Sequence, residues 1–118
     1  MNFGIKTESD QGVTVIALTG EVDLYTAPEL KEELVRVIDD GARRIVIDFR
    51  DTTFIDSTTL GVLVSGLKRL RPQGGNLALV ITDNNIRKIF EITGLDRVFS
   101  IHEQRGEAVT ELTEDPGR

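Results

Sequence analysis

The residues with the clearest chemical potential are Asp56 and Ser57, which stand where an apolar helical period begins. Leu60, Leu63, Val64, Leu67 and Leu70 follow at spacings that place them on one helix stripe. A serine at such a start has two compatible uses. Its hydroxyl can cap the helix by accepting a backbone N–H two or three residues on. It can also accept a phosphoryl group, which free N–H groups and the positive end of the helix dipole stabilise. Phosphate there adds about −1.5 to −2 charges beside Asp56, changing surface potential rather than fold.

Other chemistry is less well supplied. Asp23, Asp48, Asp51 and Asp56 could be read as a Mg²⁺ cluster of the kind a response-regulator receiver uses. A receiver also needs a lysine after its last strand, and here Ile101-His102-Glu103-Gln104 is followed by Arg105. Carboxylates in loops after strands more often form turns and caps. His102 is the single histidine, so a multi-histidine metal site is excluded, and no oxyanion-hole pattern accompanies it. It is expected as an exposed edge residue. Gly74-Gly75 follows a helix and precedes a strand, the reverse of a phosphate-binding glycine loop, so it reads as a tight turn. Lys68, Arg69 and Arg71 suit the C-terminal end of a helix dipole. The pattern is not that of an enzyme, and no cofactor or metal is expected.

The elements that must hold Ser57 belong to a chain of 118 residues, a length that fits one domain. Without cysteine it must be stabilised by its core alone. Twenty acidic against fourteen basic residues give a net charge of −6, which opposes direct nucleic-acid binding and attachment to anionic membranes. No apolar run approaches the roughly 20 residues of a membrane span. The N-terminal Met1–Lys6 stretch lacks the pattern of a signal peptide, so a cytoplasmic protein with a protein partner is expected.

Strands are predicted around Phe3 to Thr7, over Val13–Thr19, over Arg44–Phe49, over Leu77–Ile81 and from Val98 to Ile101. Helices are predicted after a Thr26/Glu29 capping box with Pro28 in the first turn, from Ser57, from an Asn84 or Asn85 cap, and around Gly106 to Leu112. The first helix carries its stripe on Leu30, Leu34, Val37 and Ile38, with an acidic outer face. Alternation of the two kinds of element predicts an α/β class with a mostly parallel or mixed sheet of four to five strands and about four helices. Residues 1–112 form the domain and 113–118 a flexible tail in this reading. Loops at the carboxyl ends of strands, Gly20–Asp23 and Asp51–Ser57, are where a partner would meet the sheet.

Gly20-Glu21-Val22-Asp23, Ala27-Pro28, Phe54-Ile55-Asp56-Ser57-Thr58-Thr59-Leu60-Gly61-Val62, Gly74-Gly75 and Ile92-Thr93-Gly94-Leu95 occur in an order that resembles the bacterial anti-sigma factor antagonist family, the STAS-domain proteins. The resemblance runs from about Ile5 to Ile101 and implies a STAS-like single domain. It implies a partner-switching regulator of sigma-factor-dependent transcription. An antagonist of this kind, while unphosphorylated, binds an anti-sigma factor that is itself a serine kinase; phosphorylation releases it and a serine phosphatase resets it. By position Ser57 is the implied phosphorylation site. Asp23 and Asp56 form the implied polar floor around it, and Thr58, Thr59 and Gly61 join them as implied partner contacts.

One position departs from the family pattern. Thr59 stands where a glycine often follows, and a β-branched side chain there is expected to narrow the approach to Ser57. Thr58 and Thr59 also become secondary acceptor candidates. That departure motivates an alternative: a constitutive scaffold or small-ligand-binding STAS module, as in stress complexes or lipid-transport systems. A monomer or weak dimer is compatible with either.

Overall fold

In the computed structural model, which describes residues 3–114, five strands form one sheet in the order β1-β2-β3-β4-β5. The strands are β1 (Phe3–Asp10), β2 (Val13–Val22), β3 (Arg44–Ile55), β4 (Asn76–Val80) and β5 (Ser100–His102). β1 and β2 pair antiparallel, and every later pairing is parallel. The hairpin turn is Gln11-Gly12, with φ of 54° and 81°, the left-handed pair that a two-residue hairpin of this twist requires.

The helices are α1 (Ala27–Asp39), α2 (Ser57–Leu70), α3 (Asn84–Ile92) and α4 (Arg105–Thr113). Alternation along the strands divides the core in two. Ile16, Leu18, Ile45, Ile47, Leu77 and Leu79 face α1, α2 and α3. Val13, Val15, Val46, Ala78 and Val80 face the other way, onto Ala108, Val109 and Leu112 of α4. Central strands buried on both faces explain why their sequences read as unbroken apolar runs. No helix among the described residues is long and apolar enough to cross a membrane.

Several boundaries differ from the sequence-based expectation. β5 begins at Ser100, because Leu95–Arg97 forms a 3-10 turn that holds the N–H groups of Val98 and Phe99 on the Leu95 carbonyl. α4 reaches Thr113, one residue past the predicted limit; residues 115–118 of the predicted tail lie outside the described residues. The Thr26/Glu29 capping box does not form, since the Thr26 hydroxyl is engaged in the preceding turn. Asp83, rather than Asn84 or Asn85, caps α3 through the N–H groups of Asn85 and Ile86. His102 lies on the edge strand as expected but is half-buried, with Nε2 at 3.0 Å from the Ser100 hydroxyl and 2.9 Å from Glu111 of α4. Gly74-Gly75 is a tight turn: Gly74 has φ 77°, and a Cβ on Gly75 would lie 2.6 Å from the Arg43 carbonyl oxygen.

β3 is the longest strand and carries two register shifts against β2, between Ala17/Thr19 and between Gly20/Glu21. Extra residues in one strand bend it and re-aim its side chains. The paired ends of β2 and β3 therefore run on past β4, and Val22 meets Ile55 at the tip. Asp48, buried in the middle of β3, is matched there by Arg50, whose Nε and Nη2 lie 3.0 and 2.7 Å from its Oδ2. That carboxylate raises the Arg50 pKa further above the range where it could lose its proton.

Candidate functional site

The Val22–Ile55 pairing brings the two loops of interest together, because Asp23 and Asp56 are the next residues on each chain segment. Both carboxylates then turn onto their own loop. Asp23 Oδ1 accepts the N–H groups of Tyr25 (2.9 Å) and Thr26 (3.2 Å). The Thr26 hydroxyl donates to the Glu21 carbonyl and accepts the Asp23 N–H, both at 2.9 Å. Asp56 Oδ1 accepts the N–H groups of Thr58 (3.0 Å) and Thr59 (3.2 Å) and so caps α2.

The cap therefore lies one residue earlier than the sequence suggested. Ser57 is the first residue of α2, it is exposed, and its hydroxyl makes no hydrogen bond to a described residue. A carboxylate is the stronger acceptor for N–H groups at the positive end of a helix, so the aspartate takes the capping role and leaves the serine free.

Thr59 corrects a second expectation. It is 0% exposed, and its hydroxyl donates to the Val22 carbonyl at 2.7 Å. The side chain points inward, where it bolts the first turn of α2 to the end of β2. It neither narrows the approach to Ser57 nor offers a surface for a partner or a kinase. Thr58 is half-buried at the mouth of a furrow between α1 and α2. Gly61 is exposed, and a Cβ built on it would meet nothing within 4 Å, so internal packing does not require it.

Sequence reasoning missed the apolar surround. Leu24 and Tyr25, which follow Asp23, are 60% and 77% exposed, and Phe54, two residues before Asp56, is 47% exposed. Part of the signal was present: Leu24 and Tyr25 are large apolar residues in a turn-forming segment, while Phe54 stands near the end of β3. Large exposed apolar groups gathered at one end of a sheet mark a surface that contacts something else. Among the described residues no group of three or more His, Cys, Asp or Glu could hold a metal ion. Asp23, Asp48, Asp51 and Asp56 thus do not form the cation cluster considered from the sequence, since three of the four are bound to neighbouring N–H or guanidinium groups. The arrangement is an apolar, partly acidic surface on which the Ser57 hydroxyl is exposed.

The comparisons agree with this reading of the fold. Residues 4–108 match the STAS domain family. The chain is 35% identical over 103 residues to an anti-sigma-B factor antagonist of Staphylococcus aureus, covering 87% of this chain and 95% of that protein. It is 35% identical over 101 residues to the protein of the same description from Bacillus subtilis, covering 86% and 92%. A crystal structure of an anti-sigma factor antagonist from Mycobacterium paratuberculosis superposes with a TM-score of 0.89 at 27% identity, covering 96% of each chain. The chain belongs to the STAS-domain family of anti-sigma factor antagonists.

Proposed function

We propose that this antagonist is a docking module switched by phosphorylation of Ser57. The observation that carries the reading is the exposure of Ser57 at the start of α2, where the neighbouring hydroxyl of Thr59 is buried. Unphosphorylated, the surface around Asp23, Asp56, Ser57, Thr58 and Gly61 binds an anti-sigma factor that is a serine kinase, and sigma-factor-dependent transcription rises. The kinase moves the γ-phosphoryl group of ATP to Ser57 Oγ, the hydroxyl proton leaves, and ADP is released. A serine phosphatase in the same cytoplasm restores the hydroxyl by hydrolysis.

The cap geometry sharpens how the charge would act. Asp56 Oδ1 already occupies the N–H groups of Thr58 and Thr59, so the donors best placed to neutralise a phosphate are engaged. The added charge of about −1.5 to −2 would stand beside a carboxylate and face the partner. Like-charge repulsion and desolvation then oppose docking. A cost of about 3 kcal/mol is enough to weaken binding more than a hundredfold.

The test is incubation with the cognate kinase and ATP, with phosphosites mapped by mass spectrometry and binding measured for Ser57→Asp. Phosphate on Ser57 and a hundredfold loss of affinity are expected. Phosphate elsewhere, or wild-type affinity in Ser57→Asp, would overturn the switch. The alternative of a constitutive scaffold drew on Thr59, and with that side chain turned inward no residue of the site favours it.

A further inference from the structure

The furrow between α1 and α2 leads away from Ser57 and has no role in the capping geometry. Its wide end encloses about 510 Å³ between Pro28, Lys31, Thr58, Gly61, Val62 and Ser65. Lys31, Val62 and Ser65 also line its narrow continuation, which ends at Arg69. From Thr58 to Arg69 the furrow follows about three turns of α2.

Two observations say what could fill it. The first is charge. α2 carries no carboxylate. None of the acidic residues of α1 lines the furrow. Lys31 and Arg69 make no ion pair with any described residue, whereas Arg36, on another side of α1, is held by Glu33 and Asp40. In a chain with a net charge of −6, this strip is locally positive. The second is space. Gly66 is closely packed from within, because its Cβ would lie 3.3 Å from Leu34 Cδ1 of α1 and oblige that side chain to shift. Gly61 is not: a Cβ there meets nothing. A glycine inside a helix weakens it, so one that internal packing does not need is informative where it opens a furrow.

We infer that the α1–α2 furrow seats an acidic helix of the anti-sigma factor, its backbone approaching Gly61 and its carboxylates meeting Lys31 and Arg69. The inference rests on the reading of an anti-sigma factor as partner and deepens it by assigning the chemistry of the contact. A furrow between two packed helices accepts the side-chain ridge of a third. Positive rims would steer an acidic segment into register and make association sensitive to salt.

The test measures binding of the purified anti-sigma factor to wild type, Ser57→Asp, the double variant Lys31→Glu/Arg69→Glu, and Gly61→Leu, over a range of salt. The double variant should bind at least about tenfold more weakly and lose most of the wild-type salt dependence. Gly61→Leu should lose binding while its thermal midpoint stays the same or rises, a combination that misfolding cannot produce. Wild-type affinity in both furrow variants, with Ser57→Asp still impaired, would overturn the furrow and leave the switch standing. Impaired furrow variants with an unaffected Ser57→Asp would support the furrow and overturn the switch. If the wild type does not bind the anti-sigma factor, both fall together. Altered self-association in sedimentation, with partner binding unchanged, would assign the furrow to a second copy and overturn the proposal.

Discussion

The two faces of α2 obey different rules. On the inner face, Thr59, Leu63, Gly66, Leu67 and Leu70 are all buried, and each has a structural reason within this chain. Leu63 and Leu70 are fully covered, Thr59 is tied to Val22, and Gly66 admits Leu34. On the outer face, Ser57, Gly61 and Ser65 are exposed, and the hydroxyls of Ser57 and Ser65 make no hydrogen bond to a described residue. A helix can therefore be constrained at one edge by its fold and at the other by what it meets. The difference teaches that residue type alone is a poor guide to role: Thr59 and Ser57 are both hydroxyls, two positions apart, and only one is available.

Substitutions can break this contrast or sharpen it. The largest effect is expected at Leu63→Ala, which empties a site in the principal core and should cost about 2–5 kcal/mol in urea unfolding. A loss below about 1 kcal/mol would mean that the inner face is not the constrained one. Thr59→Gly restores the pattern frequent in the family and removes the hydroxyl from Val22. It should cost about 1–3 kcal/mol, because a buried carbonyl loses its partner and a helix gains a glycine. The rate of Ser57 phosphorylation should not change; acceleration would show that Thr59 does reach the outer face. Gly61→Ala is the smallest and has the opposite sign, a gain of about 0.5–1 kcal/mol in the same unfolding assay. Any destabilisation there would reveal an internal constraint that the geometry does not contain.

Much of this was legible in the sequence. The stripes Leu30, Leu34, Val37, Ile38 and Leu60, Leu63, Leu67, Leu70 located α1 and α2 because burial on one side leaves a 3.6-residue period. The apolar runs from Arg44 and Leu77 located the strands buried on both faces. Caps were misplaced where two acceptors stand side by side. At Asp56-Ser57 and Asp83-Asn84 the carboxylate takes the helix N–H groups, and pattern alone does not rank the pair. Thr59 was assigned to the surface from the family resemblance alone, as the residue standing where a glycine often follows the acceptor serine. Its offsets of four from Leu63 and seven from Gly66 did place it on the buried side. The apolar surround of Leu24, Tyr25 and Phe54 was not recognised, since exposure in a loop or at a strand end depends on neighbours that only the folded sheet supplies.

The Thr59–Val22 hydrogen bond joins residues 37 apart in the chain. Closing so long a loop costs more chain entropy than a local contact, and contacts of this separation form slowly compared with local ones. During synthesis β2, α1 and β3 all precede Ser57, so the segments that make up its setting have already emerged when it does. A partner that reads the loops after β2 and β3 together responds to a finished molecule and ignores a nascent or partly unfolded one. The same bond that orients α2 thus couples the position of Ser57 to the integrity of the sheet behind it.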